Sequence, residues 1–240
     1  NQPPRHKLRG RDVSAVARCL IAFGDRAAPY VASKLSTNEP DLCRYALLVA
    51  GEIAHPDLLD PVARRTFDVN DAVRAVALDV LRNFSRMPQL DAVLRAICDL
   101  SARPGKDPRR QRIALDALAE LRDMRTLRTL IARLVDPSEA IVAAAHKALV
   151  VLTGQDFGVA ARRWETWTEQ VAGTHRVEWL IDALGHQDEA LRALAGEEIK
   201  QLTQQYFGYH PALPKKDRDL AQRKYREGWE REGRAIFTGR

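Results

Sequence analysis

The chain has 240 residues, of which 45% are apolar, 29% charged and only 6% aromatic, and its formal charge is +6. That balance is ordinary for a folded protein with a real core and argues against disorder, while the crowding of Ala, Leu, Arg and Val favours helices packed through small residues over strand. The positive charge admits nucleic acid, an acidic protein surface or an anionic membrane as partner without choosing among them, and no apolar run is long enough to predict a membrane span.

The first ten residues, NQPPRHKLRG, lack the apolar stretch of a secretory signal and are expected to form a tail. From residue 11 a pattern recurs: a small or compact residue followed by apolar residues four and seven positions later, which puts three side chains on one helix face. It occurs at Val16/Leu20/Phe23, Ala46/Ala50/Ile53, Ala77/Leu81/Phe84, Ala114/Leu118/Leu121, Ala145/Leu149/Leu152 and Ala195/Ile199/Leu202. Successive anchors lie 30, 31, 37, 31 and 50 residues apart, and two helices of about a dozen residues with short turns need about 30. The 37-residue interval holds SARPGKDPRR, where Pro104, Gly105 and Pro108 predict a lengthened loop, and the 50-residue interval holds an additional element with a Trp-bearing helix.

Partner helices are expected between the anchors, in APYVASKLS, PDLLDPVARRTF, QLDAVLRAICDL and MRTLRTLIARLV. Each is amphipathic and too short to persist alone, so stacking must bury it. Pro40, Pro56, Pro88, Pro108 and Pro137 fall where helices would start, and Asp41, Asp71, Asp107, Ser138 and Asp188 offer oxygens to first-turn amides.

The stretches NDAVRAVALDVLRNF, SEAIVAAAHKALVVL and DEALRALAGEEIKQL, with their Val73-Arg74 and Leu191-Arg192 steps, resemble HEAT repeats of the short, Ala-rich kind found in bacterial proteins and phycobilisome-lyase-like domains. The resemblance covers about residues 11–210. It implies an all-α fold, an alpha-alpha superhelix of about six helix pairs that binds partners along a concave face, with residues 211–240 as a basic loop and capping helix.

LTGQDFG begins at Leu152 and LTQQYFG at Leu202, and the two surroundings match at a constant offset of 50 from Glu139 and Glu189 onward. One unit is used twice. In each copy the aromatic, Phe157 or Phe207, is expected to fold back on the last turn, with Gly158 or Gly208 in a conformation other residues resist. A basic, aromatic helix follows each copy, and Trp164/Trp167 and Tyr225/Trp229 share a face by their spacing of three and four. These rings are read chiefly as staples for an extra helix, with a partner-binding aromatic patch as the alternative. The combination is similar to a module in bacterial HEAT-repeat proteins of unassigned role, a resemblance that brings no catalytic residues.

Chemistry-bearing patterns are sparse. Cys19, Cys43 and Cys98 sit in helical patterns and are expected to be buried, reduced thiols, which suggests a cytoplasmic location. Deoxyhypusine hydroxylases share the HEAT architecture but hold two irons with His-Glu pairs, and none of the six histidines here precedes a Glu. No zinc spacing, nucleophilic triad, phosphate-cradling loop or nucleotide fingerprint is present, so no cofactor, metal or catalytic activity is expected. Two stretches are basic: nine cations against four anions over Arg103–Arg133, and nine against five over Pro211–Arg240. Arg109, Arg110 and Arg112 cluster at a helix start, Arg125 and Arg128 share a face, and Lys215 and Lys216 open the last helix. The expected function is a noncatalytic scaffold or adaptor for a protein partner. The alternative is a nucleic-acid-binding solenoid like the alkylpurine DNA glycosylases.

Overall fold

A computed structural model describes residues 10–85, 87–102 and 107–238, and every regular element among them is helical. The expectations placed on residues 1–9, Arg103, Pro104, Gly105, Lys106 and Arg240 lie outside the described residues. In chain order the helices are α1 (Gly10–Val13), α2 (Ala15–Phe23), α3 (Ala28–Lys34), α4 (Pro40–Ile53), α5 (Leu59–Arg65), α6 (Asp71–Leu81), α7 (Leu90–Ala102), α8 (Pro108–Leu121), α9 (Leu127–Ala132), α10 (Glu139–Thr153), α11 (Ala161–Gln170), α12 (Arg176–Ala183), α13 (Glu189–Thr203), α14 (Lys215–Gly228) and α15 (Arg234–Thr238). Single tight turns of 3-10 helix extend several of them, and a π turn, Trp229–Gly233, joins α14 to α15. The chain divides into two compact units, Asn1–Leu121 and Arg122–Arg240. That boundary falls inside the expected 11–210 stretch, and α14 packs on α12 within the second unit.

In the first unit the helices pack in successive pairs, and several also meet the next helix but one. α3 packs on α4, α5 on α6 and α7 on α8, while α2 meets α4, α4 meets α6, α6 meets α8 and α5 meets α7. The anchor positions Ala46, Ala50, Ala77, Leu81, Phe84, Ala114 and Leu118 are buried there, as a small-residue seam between helices requires. The first triplet is corrected by the structure: Ala17 is the buried side chain of α2, and Val16 and Phe23 are each 65% exposed. The main neighbours of α2 are α1, α4 and the turn that follows it, so side chains directed elsewhere stay in solvent. Cys19 shares that fate and is exposed, whereas Cys43 is buried as expected and Cys98 is half-buried.

Helix starts also sort. Pro40 and Pro108 open α4 and α8, and Asp107 and Asp188 accept first-turn amides as expected. For α6 the acceptor is Asn70 rather than Asp71, which lies inside the helix; Ser138 makes no side-chain cap and Asp41 sits in the first turn of α4. The Val-Arg and Leu-Arg steps share one structural use. Arg74 donates to the carbonyls of Asp68 and Val69, and Arg192 to those of His186 and Gln187, residues six and five positions earlier in both cases. Each guanidinium therefore ties down the loop that enters its own helix.

The second unit contains a three-helix element twice. α9 packs on α10 and α11, and α12 packs on α13 and α14. The offset of 50 extends upstream of the matched sequence, pairing the buried Leu127, Leu130, Ile131 and Leu134 with Val177, Leu180, Ile181 and Leu184. Both long helices stop by the same device. The Thr153 hydroxyl donates to the Leu149 carbonyl at 2.8 Å and accepts the Gln155 amide at 3.1 Å; Thr203 does the same with Ile199 at 2.8 Å and Gln205 at 3.2 Å. The next residue is left-handed in each, Gly154 at φ 70 and Gln204 at φ 55. Leu202 is exposed whereas its counterpart Leu152 is buried, because α12 follows α10 and no third copy follows α13 among the described residues.

A β-carbon costs energy in the left-handed region, about 1–2 kcal/mol. Gln204→Gly should therefore raise stability by up to about 1 kcal/mol, part of the relief being offset by the freer unfolded chain. Gly154→Gln should lower it by about 1–2 kcal/mol, since its Cβ would also press within 3.2 Å of the Ala183 Cβ. Urea midpoints of the two variants moving in the same direction would refute the shared cap.

Candidate partner-binding groove

After each stop the chain must return, and an aromatic ring receives it. Phe157 meets Trp164 edge-on at 4.9 Å, and Phe207 meets Tyr225 edge-on at 4.8 Å. Trp164 is fully buried and its indole N–H donates to the Gly158 carbonyl at 2.7 Å, while Gly158 and Gly208 both have positive φ. Matching Trp164 with Tyr225 pairs Glu165, Thr168 and Glu169 of α11 and Ala172 of the turn after it with Arg226, Trp229, Glu230 and Gly233. The two copies diverge on this face.

In the second copy Trp229 occupies much of the space between α12 and the returning helix, and a smaller cavity of about 190 Å³ lined by Val177, Ile181, Ile199 and Tyr225 remains beside it. Trp229 is buried, its indole N–H donates to Glu178 Oε1 at 3.1 Å, and its ring stacks on His175 at 5.0 Å. Arg226 bridges to Asp182 at 2.5 Å and Arg234 to Glu178 at 3.1 Å, tying the returning helix to α12 from both sides. In the first copy the position of Trp229 is Thr168, that of Asp182 is Ala132, and that of Arg226 is Glu165. A groove of about 610 Å³ lies open there between α9, α11 and the turn at 171–174. Its floor is Leu127, Ile131 and Trp179, and its lips are Arg128 on α9 and Glu165 and Glu169 on α11.

The residues expected to bind a partner separate into three groups. Trp164, Tyr225 and Trp229 are buried in the chain's own core and serve as the staples. Arg128 is exposed at the groove, and Trp167 stands behind it, edge-on to Trp179 at 4.8 Å. Arg109, Arg110 and Arg112 are exposed on the first turns of α8 in the first unit, and Lys215 and Lys216 on α14 in the second, where Lys215 pairs with Asp219. Much of the rest of the first basic stretch is neutralised: Arg122 pairs with Glu198, Arg125 with Asp123 and Arg133 with Asp136. Glu198 is buried and also pairs with Arg176, whose Nε donates to the Leu152 carbonyl. Sequence reasoning missed Trp179, Thr168, Glu165 and Glu169. Glu165, Thr168, Glu169 and Ala172 share a face by their spacing, but they are polar or small, so no apolar stripe marked that face.

Four histidines share one turn geometry: Nδ1 of His55, His175, His186 and His210 accepts the amide two residues on, at 3.0–3.3 Å. Only an unprotonated Nδ1 can do this. His175 completes a reciprocal cap with Glu178 at the start of α12. Burial holds its imidazole below the usual histidine range, with Arg176 pulling the same way and Glu178 opposing.

Among the described residues no helix is long and apolar enough to cross a membrane, and no three His, Cys, Asp or Glu side chains converge as metal ligands. No protein-family model matches the chain, and no curated protein proves similar to it.

The folded state disfavours charged His175, so this residue adds stability above the unfolded pKa of 6.5 that is lost as pH falls below it. His175→Asn can still cap the helix but does not titrate. Between pH 7.5 and 5.5 its denaturant midpoint should therefore drop less than that of the wild type; equal drops would contradict the neutral cap.

Proposed function

We propose that the protein is a noncatalytic HEAT-type helical scaffold, bacterial and cytoplasmic, whose α9/α11 groove binds a protein partner. The observation that carries this reading is the difference between the two copies: a tryptophan and two ion pairs narrow one to a cavity of about 190 Å³, and the other keeps a groove of about 610 Å³ with charged lips. Apolar floors with polar rims are the surfaces on which protein segments dock. The HEAT resemblance supports the same class, as do the helix-on-helix stacking of the first unit and the loop-clamping arginines. The nucleic-acid reading rests on the exposed Arg109, Arg110 and Arg112. The ion pairs of Arg122, Arg125 and Arg133 leave less free charge than the sequence count implied.

Transplanting the second-copy residues, as Ala132→Asp, Glu165→Arg and Thr168→Trp together, should close the groove from within. Protein partners cross-linked in native cells should be lost from this variant and retained by one carrying Arg109→Glu, Arg110→Glu and Arg112→Glu. Submicromolar binding of duplex or single-stranded nucleic acid at physiological salt, lost in the second variant and kept in the first, would overturn the reading.

A further inference from the structure

We infer that the α9/α11 groove receives a large aromatic side chain, tryptophan above all, from a partner segment that carries an acidic residue beside it. This inference deepens the scaffold reading and rests on it. The second copy is an internal record of what this groove fits. There the returning helix supplies an indole at the position of Thr168, and the indole is buried in the same core cluster as Val177 and Ile181, the counterparts of Leu127 and Ile131. The first copy keeps the apolar face, lined there by Trp179 of α12, but its returning helix supplies Thr168 where the second copy supplies an indole. A buried aromatic in a preformed pocket is the kind of side chain that dominates protein interfaces, because it buries much area at small conformational cost. Met124 at the mouth is an adaptable lining for such a ring.

The charges at the lips are exchanged between copies, and this sets the polarity of the occupant. In the second copy Glu178 stands on α12 and gathers the indole N–H and the Arg234 guanidinium. Its counterpart on α9 is Arg128, an exposed cation, so the group that sits against it must be an anion. The indole N–H then turns toward α11, where Glu165 and Glu169 replace Arg226 and Glu230 as neighbours and can accept it. The occupant therefore has its acid on the α9 side and its ring hydrogen on the α11 side, the reverse of the arrangement around Trp229. Electrostatic complementarity of this sort selects partners more than it adds raw affinity.

The test uses the full chain and the capped dipeptide N-acetyl-Asp-Trp-amide, followed by ¹H–¹⁵N spectra of the Trp179 and Trp167 indole N–H groups. N-acetyl-Lys-Trp-amide and N-acetyl-Asp-Leu-amide serve as comparisons. Saturable shifts at these indoles are expected with Asp-Trp, at affinities about tenfold better than with either comparison. Arg128→Glu should reverse the preference toward Lys-Trp, a change that mere loss of structure would not produce, and Thr168→Trp should abolish the shifts. Equal response to all three dipeptides, or no response, overturns the inference. In that case cross-linked partners still lost on closing the groove would leave the scaffold reading standing. Dipeptide binding with cross-linking unaffected by closure would instead remove the groove from the scaffold reading.

Discussion

How α10 and α13 stop decides what the second unit can be. A threonine hydroxyl shared between a carbonyl four residues back and an amide two residues on gives the last turn one exit. The left-handed residue that follows sends the chain out along it. Phe157 or Phe207 is thereby brought to a fixed place beside the helix end, where it receives the ring of the returning helix. A third helix is thus added to each helix pair and laid against the first. Without that fixed return there would be neither a wall for the open groove nor a support for Trp229.

The two copies then trade stability and accessibility differently. In the second, Glu178 accepts the Trp229 indole and the Arg234 guanidinium while its own helix is capped by His175, so one carboxylate joins three elements. The first copy forgoes these bonds at the matching positions and keeps a groove of about 610 Å³ whose floor residues Leu127, Ile131 and Trp179 are already buried by the chain itself. A triad of buried Glu198 and Arg176 with half-buried Arg122 is placed elsewhere in the unit, tying α12 and α13 to the carbonyl end of α10. Breaking one member of such a triad would strand a buried charge, so its rigidity is local and does not depend on the groove being occupied.

Most of the helices were legible because small and apolar residues recur at the helical period. Five of the six anchored triplets point into a core for at least their first two positions. The failure at Val16 and Phe23 has a physical cause: a triplet of apolar letters marks a face but not whether anything lies opposite it. The same is true of Leu202, identical in letter to Leu152 but with no counterpart of α12 to cover it among the described residues. The duplicated stop was legible from LTGQDFG and LTQQYFG, whereas its extension to α9 and α12 was not. Leu130 and Ile131 recur as Leu180 and Ile181, but the polar residues around them differ, with Arg128 and Ala132 standing where Glu178 and Asp182 do.

The groove itself was invisible for a different reason. It is defined by what Thr168 lacks relative to Trp229, and the two residues are 61 positions apart because the loop after Phe207 is longer than the one after Phe157. Only the matched contacts of Trp164 with Phe157 and Tyr225 with Phe207 set that alignment. The basic stretches, in contrast, were conspicuous in the sequence but proved to be partly internal, since several of their arginines hold carboxylates of the same unit.

The central claim, that an indole closes one copy of a unit whose other copy is open, is tested most directly by the unfolding free energy of Trp229→Ala with and without added indole. The account predicts a loss of about 3–5 kcal/mol, partly restored by free indole occupying the vacated space. A loss below about 1 kcal/mol, the range of ordinary surface substitutions and small effects, would show that Trp229 does not close the second copy and would contradict the account.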